Sequence, residues 1–216
     1  KRLMPALAQT YAASFAIEHV RRTYVEAQGE QERRAVEALA AGIKVFATDH
    51  ATFALQRCRE CCGGQGYLSA NRIGPLKCDT DVFTTFEGDN TVLLQLVAKA
   101  ALTDFRKELT DDRVFGLIRY VGKKIARVAK EANPITSRLS SAEHLRDRKT
   151  LRGLFEFRES HLIEHAARRI QRRIGDGMKP HEAFTAIQDH LVAMAKAHVE
   201  RVVFDAFAAG VEGAEG

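Results

Sequence analysis

An all-α fold is predicted for this chain of 216 residues, and three observations predict it. Prolines are few, at positions 5, 75, 134 and 180. Clusters of β-branched residues are scarce, and apolar residues recur at the three- and four-residue intervals of a helix face. A composition of 45% hydrophobic and 28% charged residues fits a folded globular chain, not a disordered one. The length suffices to bury a real core, as one large domain or two small ones. No apolar run approaches the roughly 20 residues of a membrane span, so a soluble protein with no membrane span is expected. There is no signal-peptide pattern, and a chain that opens on Lys1 within helix-like sequence reads as a fragment of something longer.

The first helix covers about Leu3 to Ala27 and ends near Gly29. A second starts around Glu32 and carries Val36, Leu39, Ala40, Ile43, Phe46, Ala47, His50 and Ala54 at helical spacing. It reaches Cys61, after which Gly63-Gly64 stops it. Residues 63–88 then read as a long irregular connection: Gly63, Gly64, Gly66 and Gly74, then Pro75, then the β-prone Val82-Phe83-Thr84-Thr85-Phe86. A loop of that length inside a helical protein is uncommon unless it is functional or ordered by a ligand. Helix resumes at Asp89 or Asn90, either a good N-cap, with Val92, Leu93, Leu96, Val97 and Ala100 behind it.

A charged break at Thr103–Asp112 divides the chain into two halves, 1–102 and 103–216. Beyond it, Val114 to Val128 make an amphipathic helix that ends before Pro134. Ser140-x-x-Glu143 has the form of a capping box for a short helix. A long helix from about Thr150 to Ile174 is stopped by Gly175-Asp176-Gly177. The last starts with Pro180 near its first turn and carries Phe184, Ile187, Leu191, Met194 and Val202. The architecture expected is two packed helical units.

Several patterns point away from chemistry. Cys58, Cys61 and Cys62 crowd together, Cys78 follows, and no secretory signal precedes them, so small buried reduced thiols in a cytosol-like compartment are expected. Cys58-x-x-Cys61 lacks the second ligand pair that a zinc site needs. His161-Leu162-Ile163-Glu164-His165 matches the H-x-x-E-H zinc pattern, yet Arg158, Arg168 and Arg169 would repel a dication and no third ligand follows. Helix-surface pairing is expected there, and no metal. Arg168-Arg169-Ile170-Gln171-Arg172-Arg173 is the best basic patch. It has no interleaved aromatics, and the net charge is +5, so no nucleic-acid partner is expected. An excess of that size can serve an anionic ligand such as a phosphate-bearing cofactor.

The informative stretches are Cys61-Cys62-Gly63-Gly64-Gln65-Gly66-Tyr67 and Thr84-Thr85-Phe86-Glu87-Gly88-Asp89-Asn90-Thr91. Glycines let the backbone approach another group without a Cβ in the way, though they also serve as a plain helix stop. Glu87 stands between Phe86 and Gly88 just before a helix start. Apolar neighbours would raise its pKa and the helix N-terminus would lower it, an opposition that can poise a general base. From the residues alone a solvated loop glutamate is the commoner reading, because most carboxylates are just that.

Together, Gly-Gly-Gln-Gly-Tyr and Thr-Phe-Glu-Gly-Asp-Asn-Thr, with 22 residues between Gly64 and Glu87, resemble the paired signatures of the acyl-CoA dehydrogenase and oxidase superfamily. The Phe-Glu-Gly-Asp-Asn-Thr form looks more like the oxidases. The resemblance implies an all-α fold: the family's C-terminal four-helix bundle over 1–102, then the second helical domain of the oxidases over 103–216. It implies FAD-dependent oxidation of a fatty acyl-CoA to the trans-2-enoyl-CoA, as in fatty acid β-oxidation. Glu87 would be the catalytic base and would also meet the substrate, as would Gly88. Gly63 and Gly64, on the neighbouring subunit's flavin, and Asp89 and Thr91 would contact FAD. A homodimer or larger homo-oligomer is implied, located in the cytoplasm, or in peroxisomes in a eukaryote. Glu60, Cys78 and Asp89 stand where dehydrogenases usually have other residues, while Asp79 keeps the acid of the usual Arg-Asp pair. Because the family's flavin cavity is built largely upstream, this chain alone is expected neither to hold FAD tightly nor to turn over substrate. The alternative is a non-catalytic helical dimerisation or interaction module.

Overall fold

The computed structural model describes residues 1–110 and 141–215, and all regular structure among them is helical. Helix α1 spans Met4–Glu26, entered through Pro5, whose fixed φ suits a first turn. Helix α2 spans Glu30–Cys61. It starts two residues before the expected point because Glu32 reaches back to accept from the Gln28 and Gly29 amides (2.8 and 3.4 Å). Those bonds hold the Glu32 carboxyl below its ordinary pKa. The helix ends at Cys61, before a left-handed Gly63 at φ 56°, as the glycine pair implied.

The connection to the next long helix is more regular than expected. Short 3₁₀ turns at Gly63–Tyr67 and Ser69–Asn71 lead into α3, Ile73–Asp81, followed by a 3₁₀ turn at Val82–Thr84. Pro75 reads as a breaker, but it falls in the first turn of α3, where a missing N–H costs nothing. The β-prone run forms no strand. The Thr84 and Thr85 hydroxyls donate back to the Asp81 and Val82 carbonyls (2.8 and 3.2 Å), and the Phe86 amide to Val82 (2.8 Å), which coils the chain.

Helix α4, Asn90–Thr110, runs through most of the charged stretch expected to be a break, since charge alone does not stop a helix. The helix expected over Val114–Val128 lies outside the described residues, as does Ser140. The short helix α5, Ala142–Arg146, is capped instead by Ser141, whose hydroxyl accepts from the His144 amide at 3.2 Å. Asp147 caps α6, Arg148–Gly175, through the Thr150 amide at 2.8 Å. The expected last helix is two: α7, Pro180–Thr185, and α8, Gln188–Glu215. The chain bends at Ala186 and Ile187, where Ile187 tucks fully into the core and its amide bonds back to Phe184 at 3.2 Å.

Helix α8 is the central rod and touches α1, α2, α4 and α6. Leu191 and Met194 on it, with Ile187 in the bend just before it, are the largest fully buried side chains among the described residues. Around them gather Ala16 of α1, Ile43 and Val45 of α2, Leu94, Val97 and Ala98 of α4, and Ala166 of α6, so one buried cluster draws on both sides of residue 102. Helix α6 lies on α8 through a Phe155–Phe204 stack at 4.9 Å and a buried ionic cluster. Glu159, 9% exposed, accepts from His198 Nδ1 at 2.6 Å and from Arg201. Arg201 also binds Asp205 (2.7 Å), which meets Arg152 (3.1 Å). Burial pushes the Glu159 carboxyl up, but the His198 and Arg201 bonds outweigh it and hold it below its ordinary value. No helix among the described residues is long and apolar enough to cross a membrane.

Candidate functional site

Glu87 lies on the turn between the 3₁₀ segment and α4, with φ at 56°, and Gly88 follows at φ 110°. A left-handed backbone is uncommon for a residue with a Cβ and costs about 1 kcal/mol or more. Gly88 has no such choice, since a Cβ there would sit 3.0 Å from Leu93 Cδ2 as well as in a strained conformation. Glu87 is exposed. The expectation that apolar neighbours of this chain desolvate it is therefore corrected. Phe83 and Phe86 meet each other edge to face at 6.3 Å and stay 49% and 55% exposed, leaving the carboxylate uncovered.

The residues after Glu87 are tied down. Asp89 Oδ1 accepts from the Thr91 and Val92 amides (2.8 and 3.3 Å), so it is the N-cap side chain of α4. Thr91 is exposed on the first turn. Lys44, half-buried on α2, donates to the Gly88 carbonyl at 2.7 Å and to Asn90 Oδ1 at 2.9 Å. Asn90, 9% exposed, donates in turn to Asp49 Oδ1 at 2.7 Å and Thr48 Oγ1 at 3.0 Å. This cluster was missed in the sequence. Its only signal was a lysine and a threonine one turn apart inside the apolar stripe of α2.

The glycine turn has a different logic at each position. Gly63 needs its left-handed φ of 56°, and a Cβ on Gly63 or Gly64 would meet nothing within 4 Å, so both present open backbone to an approaching group. Gly66 is buried, and a Cβ there would fall 2.2 Å from the Arg59 carbonyl, so it lets the turn fold onto α2. Arg59 also lies over the exposed Tyr67 ring at 4.3 Å. Glu60 pairs with Arg57 (3.0 Å) and accepts from Gln56 (2.9 Å); these bonds, Gln56 first, keep its carboxyl below the ordinary value. Beside it, a groove of about 480 Å³ runs between α2 and α3, lined by Thr52, Phe53, Gln56, Lys77 and Thr84 among others. Glu87 is not in its wall.

The other candidates stay apart. All four cysteines are free thiols as expected, but Cys61, Cys62 and Cys78 are exposed and Cys58 is half-buried, which corrects the expectation of buried thiols. Cys61 and Cys62 stand at the end of α2 just before the glycine turn, and Cys78 lies on the exposed face of α3. The His161 and His165 rings meet at 4.3 Å with a 43° tilt on α6, Glu164 between them pairs with Arg168, and no three potential metal ligands gather among the described residues.

Residues 1–102 match the acyl-CoA oxidase C-alpha1 domain, and residues 147–215 match the acyl-CoA oxidase family. Peroxisomal acyl-coenzyme A oxidase 2 of Arabidopsis thaliana is 36% identical over 98% of this chain and 31% of its own length. Arabidopsis thaliana acyl-CoA oxidase 1 superposes with a TM-score of 0.80 at 25% identity, over 98% of this chain and 32% of that one. Acyl-CoA oxidase-1 of Caenorhabditis elegans, complexed with FAD and ATP, superposes with a TM-score of 0.77 at 21% identity, over the same shares of the two chains, and shows the fold alone. The chain thus spans about a third of the length of the relatives it matches.

Proposed function

The chain belongs to the acyl-CoA oxidase family, as its C-terminal helical region, and we propose that it is part of an FAD-dependent enzyme that oxidises fatty acyl-CoA to trans-2-enoyl-CoA. The observation that carries this reading is Glu87: an uncovered carboxylate on a left-handed residue, set in register with a glycine turn that presents open backbone. Residues 1–102 form the catalytic helical unit and 103–216 the oxidase-type unit after it. The assembly is a homodimer or larger, and its compartment is the peroxisome, as in the Arabidopsis relative's name.

Glu87 removes the α-proton of the acyl thioester. The Glu87 amide donates to the thioester carbonyl, where charge develops as the proton leaves, and Gly88, without a Cβ, lets that carbonyl come close. FAD, when bound, supplies the acceptor for the hydride of the β-carbon. Gly63 and Gly64 fit a cofactor contact because their backbone is exposed and open. Thr91 offers an exposed hydroxyl on the first turn of α4. Asp89 already commits Oδ1 to two amides and its carbonyl to the Leu93 amide, which leaves its own amide and second carboxylate oxygen for FAD.

The test is Glu87→Gln in the full-length oxidase that carries this segment. Turnover should fall by about 10²–10⁴-fold, the usual worth of a positioned base, with flavin content and melting temperature unchanged. Near-parental turnover would favour a non-catalytic helical interaction module. Residues 1–216 prepared alone should emerge colourless and inactive.

A further inference from the structure

We infer that Lys44 is the positioning residue for Glu87: its ammonium ties the Gly88 carbonyl to α2 and so fixes where the Glu87 carboxylate stands. The inference rests on the reading of Glu87 as the base.

A left-handed glutamate persists only where its surroundings over-determine the backbone. The chain is pinned on both sides of Glu87. Upstream, the Phe86 amide bonds to the Val82 carbonyl at 2.8 Å, a local turn within the same segment. Downstream, the Gly88 carbonyl accepts from Lys44 Nζ at 2.7 Å, a contact that reaches 44 residues back to the middle of α2. Of the remaining anchors, the Asp89 cap belongs to α4, and the Asn90 side chain, three residues beyond Glu87, bonds Asp49 and Thr48 of α2. Lys44 is thus the contact that ties the backbone of the residue next to Glu87 directly to the rigid core of the molecule, through a helix whose Ile43 and Val45 are buried.

The chemistry of the contact supports a positioning role. Lys44 is half-buried, and both its acceptors are neutral oxygens, the Gly88 carbonyl and Asn90 Oδ1. Charge-assisted bonds of this kind are shorter and stronger than neutral ones, and they hold a carbonyl in one orientation. Asn90 continues the chain to Asp49 and Thr48, so the ammonium sits in a satisfied network that cannot drift without breaking several bonds. A lysine needed only to dock α4 could bond Asn90 alone; its 2.7 Å bond goes to the residue directly after Glu87.

The experiment uses the flavin-loaded full-length oxidase with a straight-chain fatty acyl-CoA, comparing Lys44→Met, Lys44→Gln, Lys44→Arg and Glu87→Gln. Misplacing a reacting group by about an ångström costs up to roughly 10²-fold, so Lys44→Met should lower kcat by about 10- to 100-fold with KM within about threefold. Lys44→Arg, which keeps charge and donors, should recover most of the loss. If Lys44→Met does not fold, Lys44→Gln, which keeps a shorter neutral donor, reads the same split of kcat against KM. A variant that folds, keeps its flavin and retains the parental kcat overturns the inference, as does a loss carried wholly by KM or one that Lys44→Arg does not relieve. If Glu87→Gln keeps its turnover, the base assignment itself fails and this inference with it. If Glu87→Gln is inactive while Lys44→Met is not impaired, the positioning role alone is wrong.

Discussion

Helices α6 and α8 face each other across a closed ionic cluster, whereas the turn before α4 leaves Glu87 uncovered. In the first region Glu159 meets both His198 and Arg201, Arg201 continues to Asp205, and Asp205 to Arg152. Every acid there has a cation beside it, and the backbone is ordinary helix. In the second region the polar contacts hold the backbone, through Lys44, Asn90 and Asp89, while Glu87 itself is exposed on a strained residue. A buried acid satisfied by its neighbours supports a fold. An acid left open on an over-determined turn is what the proposed role of Glu87 requires.

The comparison can be broken in order of expected effect. Glu87→Gln comes first, with a loss of about 10²–10⁴-fold in turnover of the full-length oxidase and no change in melting temperature. Met194→Ala should do the reverse. It removes a fully buried side chain at the centre of α8 and should cost about 2–5 kcal/mol in denaturant unfolding, leaving kcat of the folded enzyme intact. Glu159→Gln removes the charge of the buried acid in the α6–α8 cluster and should cost about 1–3 kcal/mol, again without a direct effect on chemistry. Asp89→Ala removes the α4 cap for about 0.5–2 kcal/mol. A fall in flavin affinity beyond that destabilisation would mark Asp89 as a cofactor contact, and none would leave it a cap.

The pH dependence of stability separates the two regions further. The carboxyl of Glu159 lies below its ordinary value of 4.5 in the folded state. Its contribution is therefore complete above about that value and is lost as pH falls through the lower folded one. Acid titration of stability should lose this component in Glu159→Gln and keep it in Glu87→Gln.

Much of the architecture was legible because α1, α2 and α6 carry long periodic stripes with clear stops, and each fell within two residues of its expected bounds. Misreadings arose where local signals are ambiguous. Pro75 suits a helix start as well as a break, and the Thr103–Asp112 charges do not oppose helix. The bend at Ala186–Ile187 has no glycine or proline to announce it; the burial of Ile187 makes it. Glu87 and the glycine turn were legible as motifs. The Lys44–Gly88 bond was not, because it joins residues 44 positions apart through a side chain that sequence periodicity assigns only to a face.

The central claim, that Glu87 takes the α-proton, is tested most directly by isotope exchange. The full-length flavin-loaded oxidase is incubated in D₂O with an acyl-CoA analogue that cannot lose its β-hydride, and deuterium at the α-carbon is measured. The parental enzyme should wash deuterium in rapidly, while Glu87→Gln with its flavin retained should show exchange at the uncatalysed rate. Parental-rate exchange in Glu87→Gln would contradict the account.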